Sequence, residues 1–98
     1  MTALFEDAIN QLKRLSVDYP PGNRVIEPHA LGYTKDGNLV CRAYQVSGAS
    51  ASGEHANWKL FRMDRMGAAA VGGGDFSGPR DGYKRGDRAM QGGIIAEL

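Results

Sequence analysis

An apolar period of 3.6 residues near the N-terminus, four later segments of strand character parted by turn signals, and a Gly-rich remainder predict a mostly β domain with one N-terminal helix. Ninety-eight residues suffice for one compact domain and exclude a sizeable two-domain enzyme. A helix followed by four or five short antiparallel strands points to a small SH3/Sm-like antiparallel β-barrel, because three or more strands need a covered face to be stable alone.

The helix is read from Leu4, Phe5, Ala8, Ile9, Leu12 and Leu15, which recur at three- and four-residue steps with polar residues between them. Thr2 is the expected N-cap. Glu6 and Asp7 near the start, with Lys13 and Arg14 near the end, match the helix dipole. Leu15, Val17 and Tyr19 then alternate with polar residues as a first strand, which Pro20-Pro21-Gly22-Asn23 stops. A second strand runs from Arg24 to Thr34. Pro28 cannot donate to a ladder, so a bend, bulge or edge is expected there. Lys35-Asp36-Gly37-Asn38 is a hairpin turn, and Leu39 to Val46 the returning strand. Ser47 to Asn57 is small and polar and reads as a longer flexible loop. Trp58 to Met66 is the fourth and most apolar strand, with both faces partly covered.

Composition shifts at Gly67: nine of the last 32 residues are Gly, against five of the first 66. Residues 1–66 are therefore read as a helix plus a four-strand core, and 67–98 as a mostly irregular tail packed on it within a single domain. Phe76, Tyr83 and Met90 are spaced as anchors, and Gly92 to Leu98 has the chemistry of a closing fifth strand. Gly72 to Arg80 lacks the Gly-Lys-Ser/Thr of a phosphate loop and reads as a flexible linker.

Twelve basic against eleven acidic residues leave a net charge of +1, which gives no global basic field; any electrostatic role is local. The lone Cys41 rules out an internal disulfide, reads as a buried small hydrophobe, and fits a reducing compartment. With neither a signal-peptide core nor an apolar span, a soluble cytoplasmic protein is expected, without membrane contact. His29 and His55 have no Cys partner and no metal-ligand spacing, so neither metal nor cofactor is expected. No nucleophile elbow or acid/base pair is legible, so the chain is not read as an enzyme.

Ala8-Ile9 in the helix, Val17-Asp18-Tyr19, Gly22-Asn23-Arg24-Val25-Ile26-Glu27-Pro28, Leu31-Gly32-Tyr33, Arg42-Ala43-Tyr44 and Phe61-Arg62-Met63-Asp64-Arg65-Met66 together resemble the WYL-domain family over Leu4 to Met66. The eponymous Trp-Tyr-Leu is replaced by Leu39-Val40-Cys41. The resemblance implies an SH3/Sm-like barrel. In the family it usually follows a winged helix-turn-helix in bacterial regulators and senses nucleotide-type ligands or single-stranded nucleic acid. Stand-alone forms are similar to small proteins of bacteria and their phages, for which a sensor or sponge role is implied.

Eight of the twelve basic residues are Arg, and Arg24, Arg42, Arg62 and Arg65 fall in predicted strands. The planar guanidinium donates two parallel hydrogen bonds to a phosphate. Alternation puts Arg42 with Val40, Tyr44 and Val46, and points Arg62 and Arg65 opposite ways. Tyr44 beside Arg42 is the preferred ring for stacking a base; Tyr33 is a further candidate, and Trp58 reads first as core. The predicted site is therefore Arg24, Arg42, Tyr44, Arg62 and Arg65, holding a small phosphate-bearing ligand in a non-enzymatic module. Single-stranded nucleic acid on the same face, or a protein-interaction or inhibitor role, is the alternative. In the purely structural reading the arginines pair with Glu27 and Asp64. Arg80, Lys84, Arg85 and Arg88 alternate with Asp81 and Asp87, which cancels much of their field yet leaves a rim able to close over an anion. Sm-like barrels pair edge strands, so a homo-oligomer stays open as an alternative to a monomer.

Overall fold

The computed structural model describes all 98 residues. Helix α1, Thr2–Gln11, buries Phe5, Ala8 and Ile9, the stripe its periodicity marks. Met1 occupies the N-cap and no side chain caps the helix, so the expected Thr2 cap is not made. The helix also stops earlier than its apolar period suggests. Leu12 turns left-handed (φ 58°), its N–H donating to the carbonyls of Ala8 and Ile9. Lys13 and Arg14 thereby fall on the first strand and not in the last helical turn. There they pair with Asp75 (2.9 Å) and Glu27 (2.9 Å) in place of the helix dipole.

Six antiparallel strands follow: β1 Lys13–Tyr19, β2 Gly22–Tyr33, β3 Leu39–Gly48, β4 Asn57–Arg62, β5 Ala69–Asp75 and β6 Gly93–Glu97. Their hydrogen-bonded order is β4-β3-β2-β1-β5, with β6 on β2. Strand β2 is the spine. Its first half pairs with β1 (Leu15 opposite Ile26) and its second half with β6 (Leu31 opposite Ala96), while β3 runs along the other side of both. Pro28 lies in the gap between the two half-partners, where its missing N–H deprives no ladder. The expected irregularity is a bulge: Pro28 faces Ala43 and Ala30 faces Arg42, leaving His29 as the extra residue. The Lys35–Asn38 turn forms as expected, with Gly37 N–H donating to Thr34.

The C-terminal strand exists but does not close the sheet, because it pairs with the inner strand β2 and leaves β4 and β5 as the ends. The architecture is thus an open antiparallel sheet under one N-terminal helix. Gly32 permits this docking: a Cβ there would lie 2.5 Å from the Gly93 carbonyl oxygen. The first four residues of the Gly72–Arg80 run read as a linker instead belong to β5, hydrogen-bonded to β1, with Gly73 at φ +92° where the pairing slips. Strand β4 is shorter than expected. It ends at Arg62 and passes into a single 3-10 turn, Met63–Arg65; only Phe61 in it is buried, and Leu60 is 39% exposed.

Two faces result. Phe5, Ile9, Leu15, Val17, Ile26, Leu31, Cys41 and Phe61 form the core between sheet and helix. The opposite face carries Glu27, His29, Tyr44 and Trp58 and is covered by residues 76–90, a strap anchored by buried Phe76 and Met90 and half-buried Tyr83, as their spacing suggests. No helix is long and apolar enough to cross a membrane.

Candidate anion-binding site

The five predicted residues do not share one site. Arg42 and Tyr44 stand on the strap-covered face, as alternation requires, but the Arg42 guanidinium grips Asp87 of the strap through Nε (2.7 Å) and Nη2 (3.3 Å). The bonds from Arg42 hold the Asp87 carboxyl below its usual range. The Tyr44 ring is already occupied: the Arg80 guanidinium lies 4.4 Å from its centre and Trp58 packs edge-on at 5.6 Å. Arg62 chelates Asp64 (3.1 and 2.7 Å), the structural pairing anticipated for that carboxylate. Arg65 sits in the 3-10 turn, so strand alternation does not set its direction.

Glu27 departs from the anticipated pattern too, for its partners are Arg14 and Arg80 instead of the predicted arginines. Arg80 reaches both oxygens (2.7 and 3.2 Å) and Arg14 one (2.9 Å). Burial pushes this 1%-exposed carboxyl upward, but the bonds from Arg80 and Arg14 outweigh it and leave the pKa lowered. Beside it, fully buried His29 donates Nδ1–H to the Glu27 carbonyl (2.8 Å) and accepts the Arg80 backbone N–H at Nε2 (3.1 Å). That pattern requires neutral imidazole, and burial lowers its pKa accordingly. Trp58, Phe76 and Tyr83 surround the ring. This cluster staples the strap to the sheet.

Arg24 and Arg65 do come together. They line a cavity of about 840 Å³ at the β4 edge, with Lys59, Tyr19, Phe61 and the 50–52 loop. Arg24 is 4% exposed because Ile26 and Arg24 share the core face of β2. It donates from Nε to Tyr19 O (3.2 Å), from Nη1 to Gln45 Oε1 (3.2 Å) and from Nη2 to Pro20 O, and it lies over the Tyr19 and Phe61 rings. Every acceptor is neutral. Burial lowers its pKa from the ordinary arginine value, yet a guanidinium stays protonated near neutrality. Lys59 donates to Ser50 Oγ (3.1 Å) and Ser52 Oγ (3.2 Å), and neither Lys59 nor Arg65 makes an ion pair. Gln45 fixes the loop that carries these serines by donating to Ala49 O and His55 O.

The cavity wall therefore holds three cations and no carboxylate. Chemically it offers charge-assisted donors, hydroxyls and aromatic edges, the set that receives a phosphate or similar oxyanion. Lys59 is absent from the site expected from sequence, whose strand cations are all arginines; its period-two relation to Phe61, on the same strand face as the core, is the signal that marks it. No three His, Cys, Asp or Glu side chains gather as metal ligands. Comparison with protein-family models, curated proteins and solved structures finds no match to the chain.

Proposed function

We propose that the chain is a non-enzymatic binding module for a small anionic, phosphate-bearing ligand, held in the cavity of Arg24, Lys59 and Arg65. The observation that carries this reading is the buried Arg24 guanidinium without a counter-ion. Sequestering a charge from water costs several kcal/mol unless it is paired. Three neutral oxygens offset part of that cost, and an oxyanion in the adjoining cavity would offset the rest. Arg65 and Lys59, both able to reach into solvent, supply the remaining charge. Arg42, Arg62 and Tyr44 are no longer assigned to the ligand, since Asp87, Asp64 and Arg80 already engage them.

A WYL-like domain of SH3/Sm-like ancestry in the cytoplasm is the setting we propose. Its support is the residue pattern of segments 4–66, joined to a sheet whose long β2 divides between β1 and β6. A nucleotide-type signal suits this site better than a long polyanion, because net charge is +1 and Arg24, Lys59 and Arg65 are gathered in one cavity and not strung along a continuous basic surface. Isothermal titration in low salt with pyrophosphate and with mono-, di- and cyclic nucleotides tests the reading. Binding by at least one, weakened about tenfold or more in Lys59→Ala/Arg65→Ala, is expected. Absence of heat with all of them contradicts it.

A further inference from the structure

We propose a second ligand site on the other face of the sheet, for a planar aromatic ring bearing an anionic group, of the size of a nucleoside monophosphate. It is built by the strap and lies outside the 4–66 segment except for Trp58 and Arg42. The cavity there measures about 640 Å³, within the range that small ligands fill. Trp58 and Tyr83 form its aromatic wall, their rings within 23° of parallel and 6.2 Å apart between centres. Trp58 Nε1 donates to Asp81 O (3.2 Å), which fixes the orientation of the indole.

Charge around this wall is strongly one-sided. Asp87 is the sole carboxylate lining the cavity, and both its oxygens are consumed by Arg42 and the Ala89 N–H. Arg85 is answered by Glu97 at 3.2 Å. Lys84 and Arg88 have no hydrogen-bond or ion-pair partner anywhere in the protein, yet both line the cavity. An aromatic platform rimmed by two unpartnered cations binds a ring by stacking and its phosphate by charge-assisted hydrogen bonds. Neither element alone discriminates; the juxtaposition selects a ligand carrying both. The site shares no residue with the Arg24 cavity, so either can fail without the other.

Trp58 is the only tryptophan, so intrinsic fluorescence of the full chain reports this cleft directly. AMP in low salt should quench it saturably. Ribose 5-phosphate, lacking the ring, and adenosine, lacking the anion, should each bind about tenfold more weakly or worse. Lys84→Ala/Arg88→Ala should weaken AMP to the same degree at unchanged melting temperature, while Lys59→Ala/Arg65→Ala should leave the quench intact. The proposal is overturned if AMP leaves the fluorescence unchanged, if Lys84→Ala/Arg88→Ala binds AMP as the parent does, or if only a single-stranded oligonucleotide quenches.

Discussion

At Arg24 the packing of the sheet and the proposed ligand site meet in one side chain. Its stem and guanidinium fill space against Tyr19 and Phe61, its N–H groups satisfy two main-chain carbonyls, and its charge has no counter-ion within the chain. Arg24→Met keeps the stem but strands those acceptors, and should cost about 1–3 kcal/mol in urea unfolding as well as affinity. Arg65, exposed and unpaired, should behave differently: Arg65→Ala should shift stability by no more than about 0.5 kcal/mol while weakening the ligand. An equal loss of stability in both variants would make Arg65 structural. Among the arginines the sequence reveals the near pairing of Arg62 with Asp64, but not the partners that lie far along the chain. Asp87 is 45 residues from Arg42 and Arg80 is 53 from Glu27, and no local pattern announces contacts so distant.

At the scale of elements, the four strands and turns up to residue 62 follow from alternation and from Pro, Gly and Asp-Gly punctuation. The failures lie where tertiary pairing overrides propensity. Strand β5 is Ala-Ala-Val-Gly-Gly-Gly-Asp, with no β-branched residue except Val71, and forms because β1 offers it a ladder. Helix α1 ends at a left-handed Leu12, where Gly would be the expected signal. β6 is visible as a strand by composition, but its partner is not, because the second half of β2 is open on that side only where β1 stops pairing, at Leu15 opposite Ile26. Gly32→Ala tests this docking. The added methyl meets the Gly93 carbonyl and Ile94, and should cost about 1–3 kcal/mol in chemical denaturation. A neutral outcome would mean that β6 is not seated on β2.

For the molecule as a whole, the strap and the sheet are joined through groups that titrate, so stability should depend on pH with a definite sign. His29 has a lowered pKa when folded; the unfolded chain binds its proton first, so this contribution is present above about pH 6.5 and is lost as pH falls below it. Glu27 is lowered too, as burial is outweighed by Arg80 and Arg14; its contribution holds above about 4.5 and disappears on further acidification through the folded pKa. Urea midpoints should therefore be level from neutrality to about pH 6.5 and decline in two stages below it. A His29→Gln variant should lose the upper stage alone, and an unchanged upper stage would place the titration elsewhere. The overall class, a small β domain behind one helix, is legible from periodicity because each element's apolar face must be buried somewhere. Closure of the sheet is not, since it depends on which edges meet. In the proposed function, the uncompensated buried cation Arg24 marks the ligand's seat. This assignment is tested most sharply by the NMR signal of the Arg24 Nε–H group during titration with pyrophosphate, or with a nucleotide whose heat is lost in Lys59→Ala/Arg65→Ala. A saturable shift at Arg24 is expected, moved to about tenfold higher ligand concentration or beyond in Lys59→Ala/Arg65→Ala; saturation of binding with the Arg24 signal unmoved would overturn the assignment.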